Sequence, residues 1–185
     1  AGWHLVYYRI SDMYGCPAAV ELMDKFYRHV VAEYNLHPKT VLLGFSRGGL
    51  YSLAFAGQFP ERMGALYLDA PALSIFQWPC CPGDDWQRER SEWMSWYSLN
   101  EGDTDTPHDP IHQLPTIVGH RIPLVMVVGL ADEAVPYEKN GKAMVDAYQQ
   151  AGAPLSLHLK PNCGHHPHSL EDPSPIVEFL LEQVG

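Results

Sequence analysis

The chain has 185 residues, of which 46% are hydrophobic and 18% are charged, and this composition predicts one globular domain with a sizeable core. The formal net charge of −10 argues against nucleic acid or an anionic membrane surface as a partner, because both attract basic patches. No segment approaches the roughly 18 apolar residues of a membrane span. A neutral or weakly charged small molecule is therefore the expected ligand.

Short apolar segments alternate with helical patterns along the chain. The predicted strands are residues 3–10, 40–45, 65–69, 123–129 and 154–160, and the predicted helices are residues 17–34, 47–59, 137–150 and 173–184. Pro17 can open the first helix, and Asp172 can cap the last one, where Pro173 occupies the first turn. This alternation predicts an α/β fold, a mostly parallel sheet with helices on both faces, in a single domain over residues 1–185.

Residues 71–121 interrupt this alternation. They are rich in Pro, Asp, Gly, His and Trp, and they contain at most a short helix around 86–99. We interpret them as a cap insertion over the carboxyl ends of the strands, where open α/β sheets bind ligands. Trp78 and Trp86 could line a substrate cleft there, or they could only pack the cap onto the body. The sequence leaves both interpretations open.

The segment VLLGFSRGGL places Ser46 between an apolar strand and a predicted helix, in a G-x-S-x-G pattern. A serine on such a tight turn needs small neighbours, and Gly44 and Gly48 would relieve the crowding. Gly49 would allow the helix to pack closely on the sheet. The N–H of Arg47, at the start of that helix, would face a developing oxyanion. A chance match in a glycine-rich turn is the alternative, but the strand–turn–helix context favours a nucleophile.

A serine hydroxyl becomes a good nucleophile when a histidine takes its proton and a carboxylate orients that histidine. The segment GLADEAVPY follows strand 123–129 and contains Asp132. The segment NCGHHPHSL follows the last strand and contains His165, His166 and His168. Carboxyl ends of parallel strands meet at one edge of the sheet, so these side chains are expected near the serine. The order Ser, Asp, His is also the order of the hydrolase fold.

These motifs resemble those of the α/β-hydrolase superfamily, of the serine esterase and acyl-peptidase-like kind. GFSRGG is similar to the nucleophile elbow, GLADEAVP to the acid loop and GHHPHSLEDP to the histidine loop. The resemblance implies that Ser46 is the nucleophile and Asp132 the acid. It implies that His165 is the base, because the family's histidine directly follows the glycine that Gly164 matches. His166 would be a neighbour that could contact substrate. No cofactor and no metal are implied.

Other roles are open for some of these residues. Asp69 also lies at a strand end and could serve as the acid, but the following Ala-Pro suggests a structural turn and favours Asp132. The three histidines could ligate a metal ion, yet no carboxylate or cysteine at the usual spacing completes such a site. Cys163 could be a reactive thiol, although a small side chain packing its loop explains it as well.

The resemblance also shows a departure at the start of the chain. In the family, a second oxyanion donor comes from a loop upstream of the strand that residues 3–10 resemble, and the first strands are not found here. Losing such a donor costs roughly 2.7–4 kcal/mol of transition-state stabilisation. We therefore expect the natural polypeptide to extend upstream, or another chain to supply the missing strand, because an uncovered strand edge would invite aggregation.

The resemblance implies a serine hydrolase that cleaves a carboxylic ester through an acyl-enzyme. The aromatic-rich insertion and Arg47 beside the nucleophile favour a carbohydrate ester, acetyl or related. Two other classes fit the same motifs, namely a peptidase or amidase of the prolyl-oligopeptidase kind and a hydrolase-like binding protein without turnover. The sequence indicates neither an oligomeric state nor a compartment.

Overall fold

The computed structural model describes residues 2–10, 12–78 and 84–184. Their strands form one parallel sheet in which spatial order follows chain order: β1 (Thr40–Phe45), β2 (Met63–Asp69), β3 (Leu124–Gly129) and β4 (Leu155–Lys160). The helices are α1 (Pro17–Glu33), α2 (Gly48–Gln58), α3 (Asp84–Trp96), α4 (Leu114–Gly119), α5 (Gly141–Ala151) and α6 (Ser174–Val184). The predicted α/β class is confirmed, and the last four predicted strands are found within two residues of their expected bounds.

Helices cover both faces of the sheet because successive strand side chains point to opposite sides. On one face Leu124, Met126 and Val128 of β3 pack in a core with residues of α1, α2, α4 and α5. On the other face Val125 and Val127 pack against α6. Every residue of β2 and β3 is buried, as expected for the inner strands of a parallel sheet. No described helix is both long and apolar enough to cross a bilayer.

The prediction of a strand at residues 3–10 is wrong. This segment forms no strand, and its side chains are largely exposed, with Leu5 at 87% and Tyr7 at 81% of full exposure. β-branched and aromatic residues favour an extended backbone, but a strand also needs a partner for its amides and carbonyls. Within the part of the chain that the structure describes, no strand lies beside the outer edge of β1. Leu43 and Phe45 of β1 are also partly exposed.

The segment between β2 and β3 contains the expected short helix, α3, and one helix that the sequence analysis missed. That helix, α4, buries Ile117 in the same core as α2 and α5. It therefore belongs to a layer that covers the sheet. Its six residues, with Pro115 in the first turn, are too few to show a helical period. A cap at 71–121 stays a prediction, and Cys80 and Cys81 lie outside the described residues.

Candidate active site

Ser46 lies on the turn between β1 and α2 in a left-handed backbone conformation, with φ of 51°. This conformation is uncommon for a residue with a side chain and persists only when the surroundings hold it. Here the N–H of Ser46 donates to the carbonyl of Asp69 at 2.9 Å. The carbonyl of Ser46 accepts from the N–H groups of Gly49 and Ala72, each at 3.0 Å. The serine is thereby fixed to the carboxyl end of β2.

Two glycines around Ser46 are required by close contacts. A Cβ on Gly44 would lie 2.6 Å from Ser52 Oγ, and one on Gly49 would lie 2.4 Å from the carbonyl oxygen of Ala72. A Cβ on Gly48 would meet nothing within 4 Å among the described atoms. The expectation that Gly48 relieves crowding is therefore wrong. The close approach of α2 to the chain after β2 falls on Gly49, one residue later.

The structure places His165 within hydrogen-bonding distance of both Ser46 and Asp132. Nε2 of His165 lies 2.9 Å from Ser46 Oγ, and Nδ1 lies 2.7 Å from Oδ2 of Asp132. The other oxygen of Asp132 accepts the N–H groups of Ala134 at 2.9 Å and Val135 at 2.8 Å. The carboxylate is buried and held by its own loop. It can orient the imidazole with Nδ1 protonated and Nε2 free to accept a proton from the serine.

Asp69, the other candidate acid, has different partners. It is buried at the end of β2, and its Oδ1 lies 3.0 Å from Nδ1 of His168. Its Oδ2 accepts the hydroxyl of Tyr67 at 3.0 Å and the N–H of Ser169. Burial raises the pKa of Tyr67 to about 12, so this hydroxyl stays a donor. Asp69 thus holds the loop that carries His165 without contacting His165 itself.

This second Asp–His pair was not predicted from the sequence. The signal was present, since an aspartate at the carboxyl end of a strand faces the same edge as the histidine loop. The residues after Asp69 suggested only a turn. Lys160, at the end of β4, also holds the loop, because its Nζ donates to the carbonyls of Pro167 and Ser169.

The N–H of Arg47 has no acceptor among the described residues, and it lies at the N-terminal end of α2 next to the serine. It is therefore available to an oxyanion. The guanidinium of Arg47 lies 3.0 Å from Asp12 and 3.7 Å from Glu89. These carboxylates offset its charge, so the side chain is not a strong anion site.

The other residues singled out in the sequence lie in different environments. Trp78 is buried in a cluster with Tyr14 and Trp93, as the packing interpretation predicts. The side chain of Trp86 lies outside the described part of the chain. His166 is exposed beside His165, with the two ring centroids 5.0 Å apart. Cys163 is half-buried, and its Sγ lies 3.5 Å from the carbonyl oxygen of His166.

The model of the prolyl oligopeptidase family matches residues 23–185. The chain belongs to this family. The match confirms the resemblance to the α/β-hydrolase superfamily that the three motifs indicated. No curated protein matches the sequence.

The solved structures that are similar to this chain in fold include hydrolases of different kinds. A puromycin-hydrolysing peptidase of Mycobacterium tuberculosis is 16% identical with a TM-score of 0.68, and the match covers 94% of this chain and 26% of the peptidase. An acylaminoacyl peptidase of Pyrococcus horikoshii is 10% identical with a TM-score of 0.60, covering 83% and 24%. A sugar hydrolase of Lactococcus lactis is 16% identical with a TM-score of 0.58, covering 85% and 58%. The chain thus spans about a quarter of each peptidase, and the likeness shows the fold alone.

Proposed function

We propose that this protein is a serine hydrolase of the α/β-hydrolase type that cleaves a carboxylic ester through an acyl-enzyme on Ser46. One observation carries the proposal, namely the continuous chain of hydrogen bonds from Ser46 through His165 to Asp132. The left-handed backbone of Ser46 supports it, because strain of this kind is typical of a nucleophile held out on a sharp turn.

In the acylation step, Oγ of Ser46 attacks the ester carbonyl while Nε2 of His165 takes the hydroxyl proton. Asp132 stabilises the imidazolium that forms, since its carboxylate already accepts from Nδ1. The carbonyl oxygen becomes an oxyanion, to which the free N–H of Arg47 can donate. The tetrahedral intermediate collapses with cleavage of the bond to the alcohol oxygen. His165 returns its proton to that oxygen, and the alcohol leaves.

Deacylation repeats these steps with water as the nucleophile. Water attacks the acyl carbon as it gives a proton to Nε2 of His165, and collapse breaks the bond to Ser46 Oγ. His165 then reprotonates Oγ, and the carboxylic acid departs. Each proton moves between Nε2 and an oxygen at the serine, so one imidazole serves both half-reactions.

For the substrate, we propose carbohydrate esters, acetyl or related, as the first class to test. Two observations support a neutral substrate such as these esters. The net charge of −10 favours a neutral substrate over an anionic one. The carboxylates of Asp12 and Glu89 also offset the charge of Arg47 beside the nucleophile. The burial of Trp78 weakens the role of that residue as a sugar platform, and no role in substrate binding is proposed for it.

Family membership favours a second candidate, a peptidase or amidase, because the same groups can attack an amide carbonyl. The steps are those above, with an amine as the leaving group protonated by His165. A fluorogenic acetyl ester set against a fluorogenic proline amide separates the two candidates. Turnover of the ester without measurable turnover of the amide supports the esterase, and measurable turnover of the proline amide would refute it.

Labelling with a fluorophosphonate tests the nucleophile before any substrate is known. We expect wild-type protein to be labelled at Ser46, and Ser46→Ala to remain unlabelled. Ser46→Ala and His165→Ala should each lower kcat by a similar factor, about 10⁶-fold, because the groups act as a unit. His120 is the matched control for His165→Ala, because it is an exposed histidine at the end of α4 whose ring contacts the carbonyl of Thr116. His120→Ala should keep wild-type kcat.

Two results would contradict the assignment. Absence of labelling in folded protein would favour a hydrolase-like binding protein. A loss of activity in His166→Ala as large as that in His165→Ala would show that the base has been misassigned.

A further inference from the structure

Three imidazole rings gather on the loop that follows β4. The ring centroids of His165 and His168 lie 5.3 Å apart, and those of His166 and His168 lie 4.8 Å apart. One ring nitrogen from each of the three histidines lies within 4.8 Å of the others. The proposed hydrolysis uses only His165, which leaves two histidines of the cluster without a function.

Two of the rings have the same environment. Nδ1 of His165 lies 2.7 Å from Asp132, and Nδ1 of His168 lies 3.0 Å from Asp69. Both carboxylates are buried, so each holds the N–H of its histidine on Nδ1 and leaves the lone pair on Nε2. A carboxylate behind the second ring nitrogen is the usual support of a metal-binding histidine, since it fixes the tautomer and raises ligand basicity.

His166 and His168 have ring nitrogens without a hydrogen-bond partner in the described part of the chain. Among the described residues, neither Nε2 of His168 nor either ring nitrogen of His166 has a hydrogen-bond partner, and His166 is exposed. Among the residues that the structure describes, the hydrogen-bond partner of His165 Nε2 is the hydroxyl of Ser46, at 2.9 Å. An imidazole lone pair can accept the serine proton or bind a metal, but it cannot do both.

The distances suit a transition metal after a modest closure. Zinc–nitrogen bonds of about 2.0–2.1 Å place tetrahedral ligand nitrogens about 3.3 Å apart. One ring nitrogen of each histidine lies within 4.8 Å of the others, so a closure of at most about 1.5 Å reaches this spacing. Rotation of the exposed His166 side chain can supply part of it. Asp69 and Lys160 hold the loop that carries these rings. Imidazole ligands favour Zn²⁺, Cu²⁺ or Ni²⁺ over Mg²⁺ or Ca²⁺.

We propose that His165, His166 and His168 form a binding site for a divalent transition metal ion, with Zn²⁺ as its simplest occupant. Bound Zn²⁺ takes the Nε2 lone pair of His165 and removes the base from Ser46, so the ion inhibits hydrolysis. The Asp132 and Asp69 carboxylates compensate the charge of the ion from behind two of its ligands. The site stands on this geometry alone, whereas the inhibition rests on the function proposed above.

Zinc binding is measured first, without reference to turnover. Chelator-treated protein is titrated with ZnCl₂ at neutral pH in a calorimeter, and one equivalent is expected to bind. His166→Gln and His168→Gln should each weaken the affinity at least tenfold. Asp69→Asn should weaken it about 10- to 100-fold, because it removes the support of His168. The control is His120→Gln, because the ring of His120 contacts the carbonyl of Thr116 and lies outside the cluster. This variant should bind Zn²⁺ with wild-type affinity.

If His166→Gln and His168→Gln, with melting curves like the wild type, bind Zn²⁺ as tightly as wild type, the site is refuted. If the histidine and Asp69 variants lose Zn²⁺ affinity and His120→Gln does not, the metal site is supported, even if the protein hydrolyses no substrate. Failure of the proposed hydrolase function is therefore recognised separately from failure of the metal site. With an active enzyme, Zn²⁺ should inhibit over the same concentration range as it binds. Mg²⁺ should not. Full activity at saturating Zn²⁺ would refute the contact with His165.

Discussion

Gly129 provides a test of how closely the end of β3 approaches the histidine loop. A Cβ at this position would lie 2.3 Å from the carbonyl oxygen of Cys163 and 2.4 Å from that of Gly164. Both oxygens belong to backbone immediately before His165, and the loop is also held by the N–H of Ala131, which donates to Cys163 at 3.0 Å. Gly129→Ala must therefore push the loop away from the sheet.

The size of the effect follows from these contacts. Ordinary contacts begin near 3.4 Å, so the two carbonyls must withdraw by about 1 Å, and His165 moves with them. A misplacement of about 1 Å at a catalytic group can cost about 10²-fold in rate. This factor corresponds to about 2.7 kcal/mol of transition-state stabilisation. Ser46 lies on a different loop, after β1, so its hydrogen bond to Nε2 of His165 lengthens.

The assay is kcat/KM on the fluorogenic ester used to test the proposed function, together with a thermal melt. Gly119→Ala is the matched control, because a Cβ on this exposed glycine at the end of α4 meets no described atom within 4 Å. We expect Gly129→Ala to lose about 10²-fold in kcat/KM and Gly119→Ala to lose nothing. A folded Gly129→Ala enzyme with wild-type kcat/KM would refute the reasoning, as would an equal loss in the control.

Two further predictions concern stability. Asp109 is buried and accepts from Ser74 Oγ and the N–H of Ile75, and burial raises its pKa above the ordinary 3.8. Asp109 therefore loses its carboxyl proton at a lower pH in the unfolded chain than in the folded protein. As pH rises above the unfolded pKa of 3.8, the free energy of unfolding falls. Tm of Asp109→Asn relative to wild type should rise from about pH 4 to pH 7, and a constant difference would contradict this. Tyr148→Phe removes the buried hydroxyl that donates to the carbonyl of Ile122 at 2.7 Å. It should lower the free energy of unfolding, measured in urea, by about 1–3 kcal/mol. An unchanged urea midpoint would contradict this.

The sequence by itself determined most of the secondary structure. Helix α1 begins at Pro17 as expected, and β1 covers residues 40–45 as predicted, because the apolar pattern of each segment is local. The strand–turn–helix around Ser46 was also readable, since the glycines that it needs are its neighbours. The loops after β3 and β4 could be placed on one edge, because parallel strands end on the same side.

The tertiary structure decided which groups meet. Residues 3–10 have strand propensity but no partner strand, and α4 depends on burial against α2 and α5 more than on its own six residues. Gly48 was expected to relieve crowding and does not, because the close contacts fall on Gly44 and on Gly49, which meets the chain after β2.

The pairing of acids and histidines was decided in the same way. Ser46 and His165 are 119 residues apart in the chain, and Asp69 and His168 are 99 apart. Two buried carboxylates and three histidines allow several pairings that local sequence does not distinguish. Strand order and the loop held by Asp69 and Lys160 place Asp132 behind His165 and Asp69 behind His168. A local pattern specifies the backbone of its own segment, but a hydrogen bond between distant segments depends on where the whole fold brings them.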